Sequence, residues 1–139
     1  CGPTGGGDHP ECYELVLYKM QELTWAATSA KALVMIGDAP PHGIAKYLSL
    51  DRPFIDWQRQ VAWYSSLGIH LYGVKCGNSK ETFYDRIAQM TGATVINIAE
   101  IDLMPELFTE LCFREQQRWA LAYHPLPAWD VRAISNPKL

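Results

Sequence analysis

No Cys-x-x-Cys pair occurs in this sequence, and none of Cys1, Cys12, Cys76 and Cys112 has a second ligand at zinc spacing. Reduced thiols packed as small hydrophobes are expected, not a zinc or disulfide framework. No Asn-x-Ser/Thr sequon with a permitted middle residue is present: Asn78 and Asn97 fail, and Asn136 precedes Pro137. No charged-then-apolar leader opens the chain. Together these absences point to an intracellular, cytoplasmic setting. No apolar run approaches the ~20 residues of a bilayer span, so no membrane span is expected. Positive charge is not in excess either. Twelve Lys and Arg face 15 Asp and Glu, for a net charge of −3, which argues against a nucleic-acid partner held by phosphate neutralisation. Gly-x-Gly-x-x-Gly and the Walker lysine are also missing. Nor is residue 1 a Met. Cys1 leads directly into a glycine-rich loop, and the expectation is a sequence that begins inside a larger protein.

What is present is one domain's worth of globular chain: 139 residues, 48% hydrophobic and 19% charged. Helical and strand patterns alternate. Cys12, Val16, Met20, Leu23 and Ala27 recur at gaps of four and three, which predicts a helix from Glu11 to about Ala30. Ala32-Leu-Val-Met-Ile36 is a continuous apolar run and reads as a strand buried on both faces. A loop follows. A helix is predicted from about Phe54 to Leu67, ended by Gly68, then a strand over Ile69–Val74. Ser79 is placed to cap a third helix with Phe83, Ile87 and Met90 inward and Gly92 at its end; Ala93–Ile98 is the third strand. Asp102 opens a last helix with Leu103, Leu107, Leu111 and Cys112 on its inner face.

This order predicts an α/β, Rossmann-like fold: a mostly parallel sheet with helices on both faces. Residues 1–122 form the domain, and 123–139 a Pro-rich extended tail in which Trp129 is a candidate anchor. Trp25, Trp63 and Trp119 are expected in the core and Trp57 at an interface. The sheet looks incomplete. A strand as apolar as Ala32–Ile36 belongs in the middle of a sheet, because at an edge it exposes unpaired backbone. A further strand, from upstream sequence or another chain, is expected on its open side.

Two acidic loops carry the chemistry. Thr4-Gly-Gly-Gly-Asp8-His9-Pro10-Glu11 leads into the first helix, and Gly37-Asp38-Ala39-Pro40-Pro41-His42-Gly43 leaves the first strand, where ligands of doubly wound sheets bind. Asp8 and Glu11 have capping-box spacing around Pro10, which explains both acids as helix caps. Carboxylates on converging loops also suit a hard cation such as Mg²⁺ or Mn²⁺. His9 and His42 read as surface residues rather than zinc ligands.

Gly5-Gly-Gly-Asp-His-Pro-Glu-Cys-Tyr-Glu-Leu15, Leu23-Thr-Trp25 and Lys31-Ala-Leu-Val-Met-Ile-Gly-Asp-Ala-Pro-Pro-His-Gly43 resemble the von Willebrand factor type A domain family, in its subgroup with a Gly-Gly-Asp-x-Pro-Glu loop. The resemblance covers about residues 4–119. It implies a metal-ion-dependent adhesion site at the top of a mostly parallel sheet. It puts Glu11 and Asp38 at two of the three ligand loops, with Thr4, Asp8 and His42 around them in support. The family's Asp-x-Ser-x-Ser loop does not occur in this sequence. The chain therefore resembles the C-terminal part of such a domain, without its first strands. Mg²⁺ (or Mn²⁺ or Ca²⁺) is implied only if that loop is supplied.

The function so implied is a protein-interaction module, not an enzyme, whose partner offers a carboxylate to the metal. The alternative is a metal-free structural or assembly subunit that contacts neighbouring subunits of a complex. A metal-assisted hydrolase using Asp38, Glu11 and His42 is a distant third, because no nucleophile elbow, triad spacing or two-metal carboxylate cluster supports it.

Overall fold

The computed structural model describes residues 10–77, 79–98 and 104–123. Its elements are α1 (Tyr13–Met20), β1 (Ala32–Gly37), α2 (Ile44–Ser49), α3 (Trp57–Ser66), β2 (His70–Cys76), α4 (Phe83–Met90), β3 (Val95–Ile98) and α5 (Met104–Tyr123). The three strands form one parallel sheet in the order β1-β2-β3. The fold is therefore α/β and Rossmann-like, as expected. Among the described residues no helix is long and apolar enough to cross a membrane.

Alternation along each strand sends side chains to two apolar layers. Leu33, Met35 and Leu71 meet Leu17, Val61, Tyr64, Phe83 and Ile87 from α1, α3 and α4. Val34, Ile36, Tyr72, Val74 and Ile98 meet Leu107 and Leu111 of α5 on the opposite face. Helices thus cover both faces. Gly73 of β2 lets α4 approach closely. A Cβ there would lie 2.8 Å from the Tyr84 carbonyl carbon and closer still to its oxygen. Gly68 and Gly92 have φ of +67° and +69° and follow the C-caps of α3 and α4, the left-handed position that ends a helix at little cost in glycine.

Several expectations are corrected. The first helix spans Tyr13–Met20 rather than Glu11 to Ala30, and its N-cap is Cys12 with no side-chain cap bond. Glu11 precedes the helix, and Asp8, the expected cap, lies outside the described residues. The chain turns after Met20, and the Ser29 hydroxyl donates to the Ala26 carbonyl at 3.2 Å where helix was expected. The inner face is Tyr13, Leu17 and Met20, with Val16 and Leu23 exposed. Both stripes have gaps of four and three, and only tertiary packing chooses between them.

The loop after β1 contains α2, and α3 starts at Trp57, where the Asp56 side chain accepts from the Gln58 N–H at 2.9 Å. Thr82, not Ser79, is the N-cap of α4. The Ser79 hydroxyl donates to the Asp38 carbonyl at 2.9 Å and accepts from the Glu81 N–H. Met90 and Cys112 are exposed. Trp57, expected at an interface, is half-buried and packs edge-on to Phe83 at 5.1 Å. Trp25 and Trp63 pack against the same layer while staying half-buried, and Trp119 is half-buried as well. Cys12, Cys76 and Cys112 form no disulfide with one another. Leu103, Asp102, Trp129 and the expected tail lie outside the described residues.

Candidate functional site

The site lies where the first turn of α1 meets the loop leaving β1. Two contacts hold these segments together. The Glu11 N–H donates to the Pro40 carbonyl at 2.9 Å, in an isolated parallel bridge between Glu11 and Pro41. Just past the end of β1, the Tyr84 hydroxyl donates to the Ala39 carbonyl at 2.9 Å and lies 3.2 Å from the Tyr13 hydroxyl. Gly37 is needed beneath this pair, because a Cβ there would collide with both hydroxyls. Burial, and after it the negative charges of Glu11 and Asp38, raise the pKa of Tyr13 above its ordinary value, against the lowering effect of the Tyr84 hydrogen bond. Glu11 and Asp38, the two sequence-predicted ligands, are thus brought to one end of the sheet around one tyrosine.

The buried chemistry lies one step further in. Glu14 is only 1% exposed, although it is a carboxylate on an eight-residue helix. Its two oxygens accept the Tyr47 hydroxyl at 2.7 Å and the His42 N–H at 3.1 Å, and its Oε1 lies 3.3 Å from His42 Nδ1. A buried carboxylate needs hydrogen-bond donors, and Tyr47 and His42 supply them. The same cluster contains Cys12. One ligand atom each from Cys12, Glu14 and His42 lies within 4.8 Å of the others. The cluster opens on a cavity of about 380 Å³ walled by Leu15, Tyr18, Leu50 and Phe54, with Lys46 and Arg52 also lining it.

A second knot of the same composition sits on the α5 side. Glu115 accepts the Tyr72 hydroxyl at 2.5 Å and stands 2.9 Å from His70 Nδ1 and 3.3 Å from Arg118 Nη1. It closes one end of the groove between β1 and α5, which Ala32, Val34, Phe108, Leu111 and Trp119 also line. On this side β1 has no neighbour among the described residues. The strand expected there is not found within them.

The Mg²⁺ reading needs a near-octahedral set of oxygen donors. Among the described residues, the group of three that converges includes a thiol and an imidazole, which a hard cation does not choose. Glu11 and Asp38 do not join it. These residues alone do not fit Mg²⁺. Thr4, Asp8 and His9 lie outside the described residues. His42 is not a surface residue but a buried partner of Glu14.

Sequence reasoning missed Glu14 entirely. Its signal was an acid inside the Tyr13, Leu17, Met20 stripe, next to the first residue of that stripe. It also set Cys12 aside as a packed hydrophobe, because the histidine that completes the cluster is far along the chain. No family model matches this chain, and neither a curated protein nor a solved structure matches it.

Proposed function

We propose that this chain is a protein-interaction module that takes up an extended segment of a partner along the open edge of β1. The observation that carries this reading is the edge itself. The His70 N–H donates to the Lys31 carbonyl, and Ala32 is the register partner of His70. In a parallel ladder the backbone groups of alternate residues face the same neighbour. Those of residues 31, 33, 35 and 37 therefore face β2, and those of Ala32, Val34 and Ile36 face the open side. Unpaired backbone groups along a sheet edge are a template for another strand, and a partner strand satisfies them by β-augmentation. Because both faces of β1 meet apolar layers, the fitting segment is apolar on both faces, without the usual alternation.

Hydrogen exchange on the protein in its native assembly tests this. The amides of Ala32, Val34 and Ile36 should be protected there and should exchange quickly in the isolated chain. Fast exchange of all three in the native assembly would end the proposal.

One observation favours a cation-dependent form of the same role. The Glu11 N–H donates to the Pro40 carbonyl, two residues past Asp38, so further carboxylate or hydroxyl donors arriving at this end of the sheet would meet two acids already in place. In this form, the partner's carboxylate completes the shell of a divalent ion.

A further inference from the structure

We propose that Cys12, Glu14 and His42 form a zinc site, separate from the strand edge and from the Glu11–Asp38 end of the sheet. The donor set carries the choice of metal. A thiolate, an imidazole and a carboxylate are the three ligand types of protein zinc, and the first two disfavour Mg²⁺ and Ca²⁺. The geometry is close to what zinc requires. Ligand atoms around tetrahedral zinc at ~2.0–2.3 Å lie roughly 3.3–3.8 Å apart. The three donor atoms here already lie within 4.8 Å of one another, a gap that side-chain rotation closes. The backbone around them is held by the Glu11–Pro40 hydrogen bond and by the packing of Leu17.

The surrounding contacts serve as support for such a site. A carboxylate has about four acceptor positions. The Tyr47 hydroxyl and the His42 backbone N–H account for two on Glu14, leaving room for the ion. The His42 ring ligates through Nδ1, the nitrogen that faces Glu14, because an ion on Nε2 would lie on the far side of the ring from the carboxylate; Nδ1 and Glu14 Oε1 already stand 3.3 Å apart, the spacing of two donors on one tetrahedral zinc. Three protein ligands leave a fourth position, and it opens on the cavity of about 380 Å³. Thiolate and carboxylate neutralise the zinc charge. Lys46 and Arg52 on the cavity lining then favour a small anion or hydroxide in that fourth position.

Cobalt(II) is the probe, because it takes zinc's tetrahedral geometry and is coloured. The full chain, stripped with chelator, is titrated with Co²⁺. One equivalent should produce a thiolate-to-cobalt charge-transfer band with intense tetrahedral ligand-field bands, and one equivalent of Zn²⁺ should bleach both. Cys12→Ser should abolish the charge-transfer band and weaken binding by more than the roughly 10–100-fold that loss of a supporting hydrogen-bond partner costs. Serine is a favoured N-cap, so this variant should retain the helix content of the parent by circular dichroism. A variant with Cys1, Cys76 and Cys112 all replaced by Ser should keep the band. Absence of a charge-transfer band in the parent, or its survival in Cys12→Ser, would overturn the proposal.

Discussion

The Tyr47 hydroxyl donates to the Glu14 carboxylate at 2.7 Å and thereby locks α2 onto α1. This bond forms in an interior where Glu14 is almost wholly removed from water, so it has no solvent substitute when broken. Tyr47→Phe should destabilise the fold by about 1.5–3 kcal/mol, the range for hydrogen bonds to a charged group. Urea unfolding followed by tryptophan fluorescence measures it. A change below about 0.5 kcal/mol would show that water replaces the hydroxyl.

Gly73→Ala should cost about 1–3 kcal/mol, because the new methyl group meets the backbone of α4 at Tyr84 and not a side chain that can swing away. A thermal melt checks this. An unchanged midpoint would mean that α4 shifts freely on β2.

High pH should weaken the fold through buried tyrosines. Burial pushes Tyr64 up to about 12, and its hydroxyl donates to the Leu17 carbonyl at 2.6 Å. Its pKa is about 10 in the unfolded chain. The unfolded state therefore loses this proton first as pH rises, and stability present below pH about 10 is lost up to about 12. Tyr72 is pushed up to about 12 in the same way, by burial and then by its hydrogen bond to Glu115. Urea midpoints measured from pH 8 to 12 should fall over that window, and Tyr64→Phe should fall less steeply than the parent. Equal slopes would remove Tyr64 as a cause.

Magnesium tests the cation-dependent form of the binding role. If Glu11 and Asp38 help to hold the ion in the native assembly, millimolar Mg²⁺ should raise its melting temperature, and Asp38→Ala should abolish that rise while leaving the metal-free melt in place. Identical melts with Mg²⁺ and with chelator would leave the strand edge as the only basis for that role.

Ala32→Lys places a charge in the groove beside the open edge, at an exposed position. Stability of the isolated chain should change by no more than about 0.5 kcal/mol, while uptake of a partner strand should fall at least tenfold, because charge on an edge blocks strand pairing. Loss of partner binding without loss of stability is the expected pair of results by titration calorimetry and urea unfolding.

The strands were legible because each is a short apolar run bounded by turn residues, and Leu33-Val-Met-Ile36 is too short for a helix before Gly37-Asp-Ala-Pro-Pro41 stops it. The two helix ends at Gly68 and Gly92 were equally legible, since a left-handed position selects glycine. The six-residue α2 was not, because Ile44-Ala-Lys-Tyr-Leu-Ser49 is too short to show a period. The register of α1 was ambiguous between two stripes with the same spacing. Of the candidate site, Glu11 and Asp38 could be placed at one end of the sheet from their loops alone. Glu14 could not, because its burial depends on Tyr47 and His42, and contacts spanning 33 and 28 residues leave no local trace.

The uncharged, proline-free run along β1 has a cost while the protein is being made. Nothing on that edge distinguishes the intended partner strand from the β1 of another copy. Two nascent chains that meet before either finds its partner can pair with each other. Refolding yield of the isolated chain should therefore fall as its concentration rises, and co-expression with the strand donor should restore it. The order in which the two arrive would then govern how much working protein a cell obtains.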